Sequence, residues 1–225
     1  MKKIFLFVSI CISFYVSGQG NTYALIIGIT TCKYWPELPA VYGDKDAQAF
    51  HDFLRSKNVP ENHIHLDIDS AANSAKIQSE LFSWLLNLKL RNGDKVYIYY
   101  SGHGYSNGFH TSNSLLSYDA PKGNVTWGDW EIEVIHLNDY IRQMDNSGAE
   151  VILITDACRE NQDTIHNILD ERMGNKELRF VSCAPGEKSY PKDTLGGLFS
   201  YWLIRGLYGM ADRNHDGRVE LGELN

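Results

Sequence analysis

Short unbroken apolar runs, separated by segments of helical period, constrain this chain more than any other feature. Tyr23-Ala24-Leu25-Ile26-Ile27-Gly28-Ile29, Val96 to Tyr100 and Val151 to Thr155 have the continuous apolar character of strands buried on both faces. His63 to Ile68 and Leu178 to Ser182 read as two further strands. Between them, Asp44 to Lys57 carries Ala47, Phe50 and Leu54 at helical spacing, with Asp44 placed to cap it. Ser74 to Leu90 carries Ile77, Leu81, Trp84, Leu85 and Leu88, an amphipathic helix. Leu137 to Met144 and Leu198 to Met210 complete the helices. Strands alternating with helices predict an α/β fold, a mostly parallel central sheet flanked by helices on both faces. A chain of 225 residues suffices for one such domain. Two stretches break the pattern: Gly102 to Glu131 reads as a long loop, and Glu160 to Glu177 as a polar, exposed connection.

Charge narrows the partners. The formal net charge is −7 with no dense Lys/Arg stretch, which argues against nucleic acid or an anionic membrane as the main partner. At the N-terminus, Lys2 and Lys3 precede an apolar run from Ile4 to Val16 that is short for a membrane span, and Ser17-Gly18-Gln19 follows with small residues. Residues 1–18 therefore read as a signal peptide, and the mature protein as secreted or periplasmic, without stable membrane insertion. Cys11 follows Ile10 rather than a small residue and is not read as lipidated. Export leaves Cys32, Cys158 and Cys183, so an odd thiol stays unpaired within the chain.

The chemistry gathers where two strands end. Val96 to Tyr100 runs into Ser101-Gly102-His103-Gly104, and Val151 to Thr155 runs into Asp156-Ala157-Cys158-Arg159. In open parallel sheets functional groups collect beyond the carboxyl ends of the strands. If these strands are parallel neighbours, His103 and Cys158 emerge at one edge. A thiol needs a base to attack an amide carbonyl at neutral pH, and an imidazole can take the thiol proton and deliver it to the leaving amine. The glycines beside His103 allow close backbone approach, and the N–H groups of Gly104 and Cys158 can form an oxyanion pocket.

These motifs resemble the caspase-like cysteine peptidases, including metacaspases and bacterial orthocaspases. The resemblance runs from Tyr23–Ile29 through Gly43-Asp44-Lys45-Asp46-Ala47 and the His and Cys motifs. It continues to Ser182-Cys183-Ala184-Pro185-Gly186-Glu187-Lys188-Ser189 and Gly197-Leu198-Phe199-Ser200-Tyr201. It implies a caspase-like three-layer sandwich over residues 21–210, with His103 and Cys158 as the catalytic dyad acting through an acyl-enzyme. It further implies that Asp46 and Asp156 line the pocket for the residue before the cut bond. Two carboxylates there select Arg or Lys, so the expected partners are protein or peptide substrates cut after a basic residue. Caspases proper carry Gln at the Asp156 position and cut after Asp, which places this chain towards the metacaspase branch. Arg159-Glu160 departs from the family, which places a glycine shortly after the nucleophile, and Glu160 adds negative charge that opposes thiolate formation. Arg159, Arg172 and Lys176 make self-cleavage within the Glu160 to Glu177 connection an expectation. Cys32 and Cys183 are read as packing residues.

A second motif closes the chain. Asp212, Asn214 and Asp216, then Gly217, Arg218 and Glu223, fit the calcium-loop spacing D-x-N-x-D-G-x5-E over residues 212–223, Arg218 contributing its backbone carbonyl. The chemistry requires no cofactor; calcium would be structural or activating. The helix that normally follows such a loop is missing before Asn225, and the sequence reads there as cut within a longer protein. Two other functions fit the same residues: a catalytically idle caspase-like binding module, or a legumain- or clostripain-like cysteine hydrolase.

Overall fold

A computed structural model describes residues 20–105, 114–122, 131–158, 176–184, 187–192 and 195–224. Residues 1–18, expected to be a signal peptide, and Arg159, Glu160 and Arg172 lie outside them. Five parallel strands form the central sheet: β1 (Thr22–Gly28), β2 (Ile64–Ile68), β3 (Lys95–Ser101), β7 (Glu150–Asp156) and β8 (Glu177–Val181). Their spatial order is β2-β1-β3-β7-β8. All five strands expected from the apolar runs are present.

The alternation of side chains along these strands divides the core in two. Ala24, Ile26, Tyr99, Ile152 and Ile154 face Phe50 and Leu54 of helix α1 (Gly43–Ser56) and Leu203 and Ile204 of helix α4 (Leu198–Arg205). Leu25, Ile27, Ile98, Tyr100 and Leu153 face the other way. They pack on Ile77 of α2 (Ser74–Ser79), on Leu81 and Leu85 beyond it, and on Ile141 and Met144 of α3 (Val134–Asp145). The result is the three-layer, helix-on-sheet-on-helix architecture expected from the sequence.

Three local expectations change. Helix α1 starts at Gly43 without a side-chain cap, and Asp44 and Asp46 occupy its first turn, where a negative charge suits the helix dipole. Glycine is required at position 43: a Cβ there would press on the backbone of both Ile29 and Ser101, the ends of two strands. The helix from Ser74, capped by Asn73 Oδ1 accepting from Lys76 N (3.0 Å), widens over Glu80–Trp84 and tightens over Leu85–Asn87, so it ends before Leu88. The Gly102 to Glu131 stretch is partly folded. Strands β4 (Gly104–Tyr105), β5 (Ser114–Leu116) and β6 (Glu131–Glu133) form a small antiparallel sheet. Strands of two or three residues leave no periodic pattern to read. Among the described residues no helix is long and apolar enough to cross a membrane.

Candidate active site

Strands β3 and β7 are hydrogen-bonded neighbours in a register that pairs Tyr100 with Thr155 and Ser101 with Asp156. The chain leaves both strands at the same edge, and Gly102 N donates to Asp156 O (3.1 Å), tying the two exits together. This register brings His103 and Cys158 into one cleft of about 360 Å3, lined also by Pro39, Asp46, Gly104, Asp156, Ser189 and Gly197.

His103 is held from both sides. Its carbonyl accepts from Leu116 N (3.0 Å), and the buried Tyr100 hydroxyl lies 2.8 Å from that same oxygen. On the ring, Nε2 lies 2.9 Å from Pro39 O. A carbonyl can only accept, so Nε2 carries the hydrogen. Burial pushes the imidazole pKa below 6.5, while the bond to Pro39 acts in the opposite sense. A neutral ring with hydrogen on Nε2 leaves Nδ1 as a bare lone pair, the form a base needs.

Cys158 is half-buried, and its Sγ lies 3.7 Å from Ser189 O, so the thiol is turned towards that carbonyl. Gly104 packs directly on the Cys158 backbone: a Cβ at position 104 would overlap the Cys158 carbonyl oxygen. The other two thiols are packing groups, as the sequence suggests. Cys32 sits in the core, and burial, reinforced by the charge of Asp69, pushes it up to about 11. Cys183 Sγ lies 3.3 Å from Ala157 O and supports the backbone just before Cys158.

Beneath the cleft lie Asp46 and Asp156, each only 4% exposed. Asp46 comes from the first turn of α1 and Asp156 from the end of β7, and they converge on the segment that precedes α4. Asp46 accepts from Ser101 Oγ (2.7 Å) and, through both oxygens, from Gly197 N (2.9 and 3.0 Å). Asp156 Oδ2 accepts from Ser200 N (3.1 Å) and Ser200 Oγ (2.8 Å), and its Oδ1 accepts from Ser189 Oγ. Desolvation raises Asp46 to about 6, helped by the charge of Asp156 and opposed by the Ser101 and Gly197 hydrogen bonds. Gly196, at φ +134°, and Gly197 let the backbone lie against both carboxylates; a Cβ on either would meet a carboxylate oxygen.

Sequence reasoning missed the groups that orient these side chains. Tyr100, Ser101, Ser189, Gly197 and Ser200 all lie in stretches that carried the family resemblance, yet their roles had no independent signal. Pro39 had none, because it contributes only a carbonyl.

The C-terminal loop folds on itself. Asp212 accepts from the amides of Asp216 (3.2 Å) and Gly217 (3.0 Å), and Asn214 Oδ1 from Asp216 N (2.9 Å). Asp216 Oδ1 accepts from Arg218 N (2.8 Å), and Glu223 reaches back to Arg213 N (3.0 Å). Gly217 adopts φ +81°, the turn the spacing requires. Among the described residues no group of three His, Cys, Asp or Glu side chains is arranged to hold a metal ion. Lys176, from the connection expected to be cut, lies at the opposite end of the sheet, bonded to Asn92 Oδ1 (2.6 Å) and Gly148 O (3.0 Å).

Comparison with known proteins adds a family and a fold. The caspase domain family model matches residues 21–219. The protein GSU0716 from Geobacter sulfurreducens superposes with a TM-score of 0.62 at 14% identity, covering 84% of this chain and 82% of that one. Caspase-1 from Spodoptera frugiperda superposes with a TM-score of 0.60, also at 14% identity, covering 84% of this chain and 69% of that one. No curated protein sequence matches.

Proposed function

The chain belongs to the caspase domain family, and on that premise we propose that it is a cysteine endopeptidase that cuts after Arg or Lys. The observation that carries the reading is one cleft lined by an imidazole, a thiol and two buried carboxylates. In the proposed mechanism the substrate's basic side chain enters towards Asp46 and Asp156, replacing some of the protein's own donors there. His103 Nδ1 takes the Cys158 proton, and the thiolate attacks the carbonyl carbon. The amides of Gly104 and Cys158 receive the developing oxyanion. The imidazolium returns its proton to the leaving amine, and water, deprotonated by His103, hydrolyses the thioester.

The test is a fluorogenic panel with Arg, Lys, Asp or Asn before the scissile bond, run beside Cys158→Ala. Cleavage after Arg and Lys that vanishes in the variant is expected. Cleavage after Asn would favour the legumain-like chemistry instead, and silence from a folded chain would favour the idle binding module.

Two further proposals stand apart from the chemistry. Calcium would bind the 212–223 loop through Asp212, Asn214, Asp216, the Arg218 carbonyl and Glu223, whose oxygens are of the hard type it prefers. Export would follow from residues 1–18 and is tested by the mass of the protein recovered outside the cytoplasm.

A further inference from the structure

One residue touches both the thiol and a carboxylate of the cleft. Ser189 receives the Cys158 thiol on its carbonyl and donates its hydroxyl to Asp156 Oδ1. We propose that Ser189 is a positioning residue that couples occupancy of the acidic pocket to the orientation of the nucleophile. The inference rests on the reading of Asp46 and Asp156 as the pocket for a basic side chain.

A thiol has one proton to direct, and at rest it is turned towards Ser189 O rather than His103 Nδ1, the atom that must accept it. The 3.7 Å contact is weak, as sulfur donors are, and a small displacement of Ser189 ends it. That displacement follows from how Asp156 is held. Its Oδ2 is bonded by Ser200, fully buried in the first turn of α4. Its Oδ1 is bonded by Ser189, half-buried between the exposed Lys188 and Tyr190. A cation reaching Asp156 therefore displaces the Ser189 hydroxyl more readily than Ser200, which the helix fixes.

The neighbouring residue limits the motion. Tyr190 O accepts from Leu198 N (2.8 Å), and Pro191 bridges to Gly197, so Ser189 turns beside a fixed neighbour. When Ser189 leaves Asp156 its carbonyl leaves the thiol. The S–H then donates to His103 Nδ1, and proton transfer gives thiolate and imidazolium. An empty pocket thus keeps the thiol protonated and turned away from its base, and a basic substrate readies it.

The test uses methylguanidine, which carries the cation of an Arg side chain but has no carbonyl to be attacked. Iodoacetamide alkylates Cys158, forming a carbon–sulfur bond and releasing iodide; peptide mass mapping separates this from reaction at the buried Cys32 and Cys183. Saturating methylguanidine is expected to raise the Cys158 alkylation rate roughly twofold at pH 7, the factor equivalent to the low end of the net worth of a neutral hydrogen bond, as suits a weak thiol donor. Ser189→Ala, which removes the hydroxyl and keeps the carbonyl, is expected to lose this response. Ser189→Thr, which keeps both groups, is expected to retain it. Methylguanidine that inhibits peptide cleavage competitively yet leaves wild-type alkylation unchanged would overturn the coupling, as would an equal response in Ser189→Ala. If it neither binds nor competes, and the substrate panel shows no basic preference, the acidic-pocket reading falls and takes the coupling with it.

Discussion

Asp46→Asn isolates the charge of one pocket carboxylate with almost no change of shape. Asp46 is 4% exposed and accepts hydrogen bonds from Ser101 Oγ and Gly197 N. An amide can accept only through its oxygen, so its NH2 group faces one of these donors, a cost of about 1–3 kcal/mol for a buried unpaired group. Ending the repulsion with Asp156 offsets part of that, so the variant is expected to fold. Its effect on catalysis is larger. Losing one charge-assisted bond to a guanidinium removes about 1.5–3 kcal/mol, roughly a 10- to 150-fold fall in kcat/KM for an Arg substrate. A citrulline substrate, the neutral isostere, should change by less than about threefold, because it has no charge to lose. The pH profile provides a second readout. With Arg before the scissile bond, activity needs Asp46 ionised, with a pKa of about 6, and His103 neutral, with a pKa below 6.5. Just below pH 6 the slope of log kcat/KM should therefore exceed 1 in the wild type and stay at about 1 in Asp46→Asn. With citrulline it should be about 1 in both. An unchanged Arg-to-citrulline ratio in the variant, or an unchanged slope, would refute the assignment of Asp46 to the substrate's cation.

Stability offers an independent check on the same carboxyl. Asp46 holds its proton more tightly folded, at about 6, than at its ordinary 3.8, so its contribution is fully present below 3.8 and is lost as pH rises through 6. Urea melts from pH 4 to 7 should show that slope in the wild type and its loss in Asp46→Asn. Gly197→Ala places a Cβ 2.9 Å from Asp46 Oδ2 and closer still to Asp156 Oδ2. The overpacking should cost about 1–3 kcal/mol and lower cleavage, whereas Gly222→Ala, with nothing near its Cβ and no positive φ to strain, should leave cleavage unchanged. Calcium at 100 times its Kd should stabilise the chain by about 2.7 kcal/mol, read as a rise in Tm that Asp212→Ala abolishes. Cleavage rates should not change on chelation, because none of the loop residues lines the cleft of His103 and Cys158.

Much of the architecture was legible because burial on both faces of a sheet demands continuous apolar runs, and these cannot be hidden in a sequence. The five strands, both helical layers and the parallel arrangement follow from that demand together with helical periodicity. The exits of β3 and β7 were marked by His103 and Cys158, since reactive side chains at strand ends are few. What the linear pattern could not supply was register. Only the pairing of Ser101 with Asp156 puts the imidazole and the thiol in one cleft. Backbone groups and hydroxyls were equally silent: Pro39 O, Gly197 N, Ser189 and Ser200 act through position, and position depends on contacts between residues as far as 151 apart in the chain. The small antiparallel sheet and the start of α1 were misread for a related reason. Two-residue pairings and a glycine pressed between strand ends are decided by what lies across from them, and the tertiary structure alone contains that information.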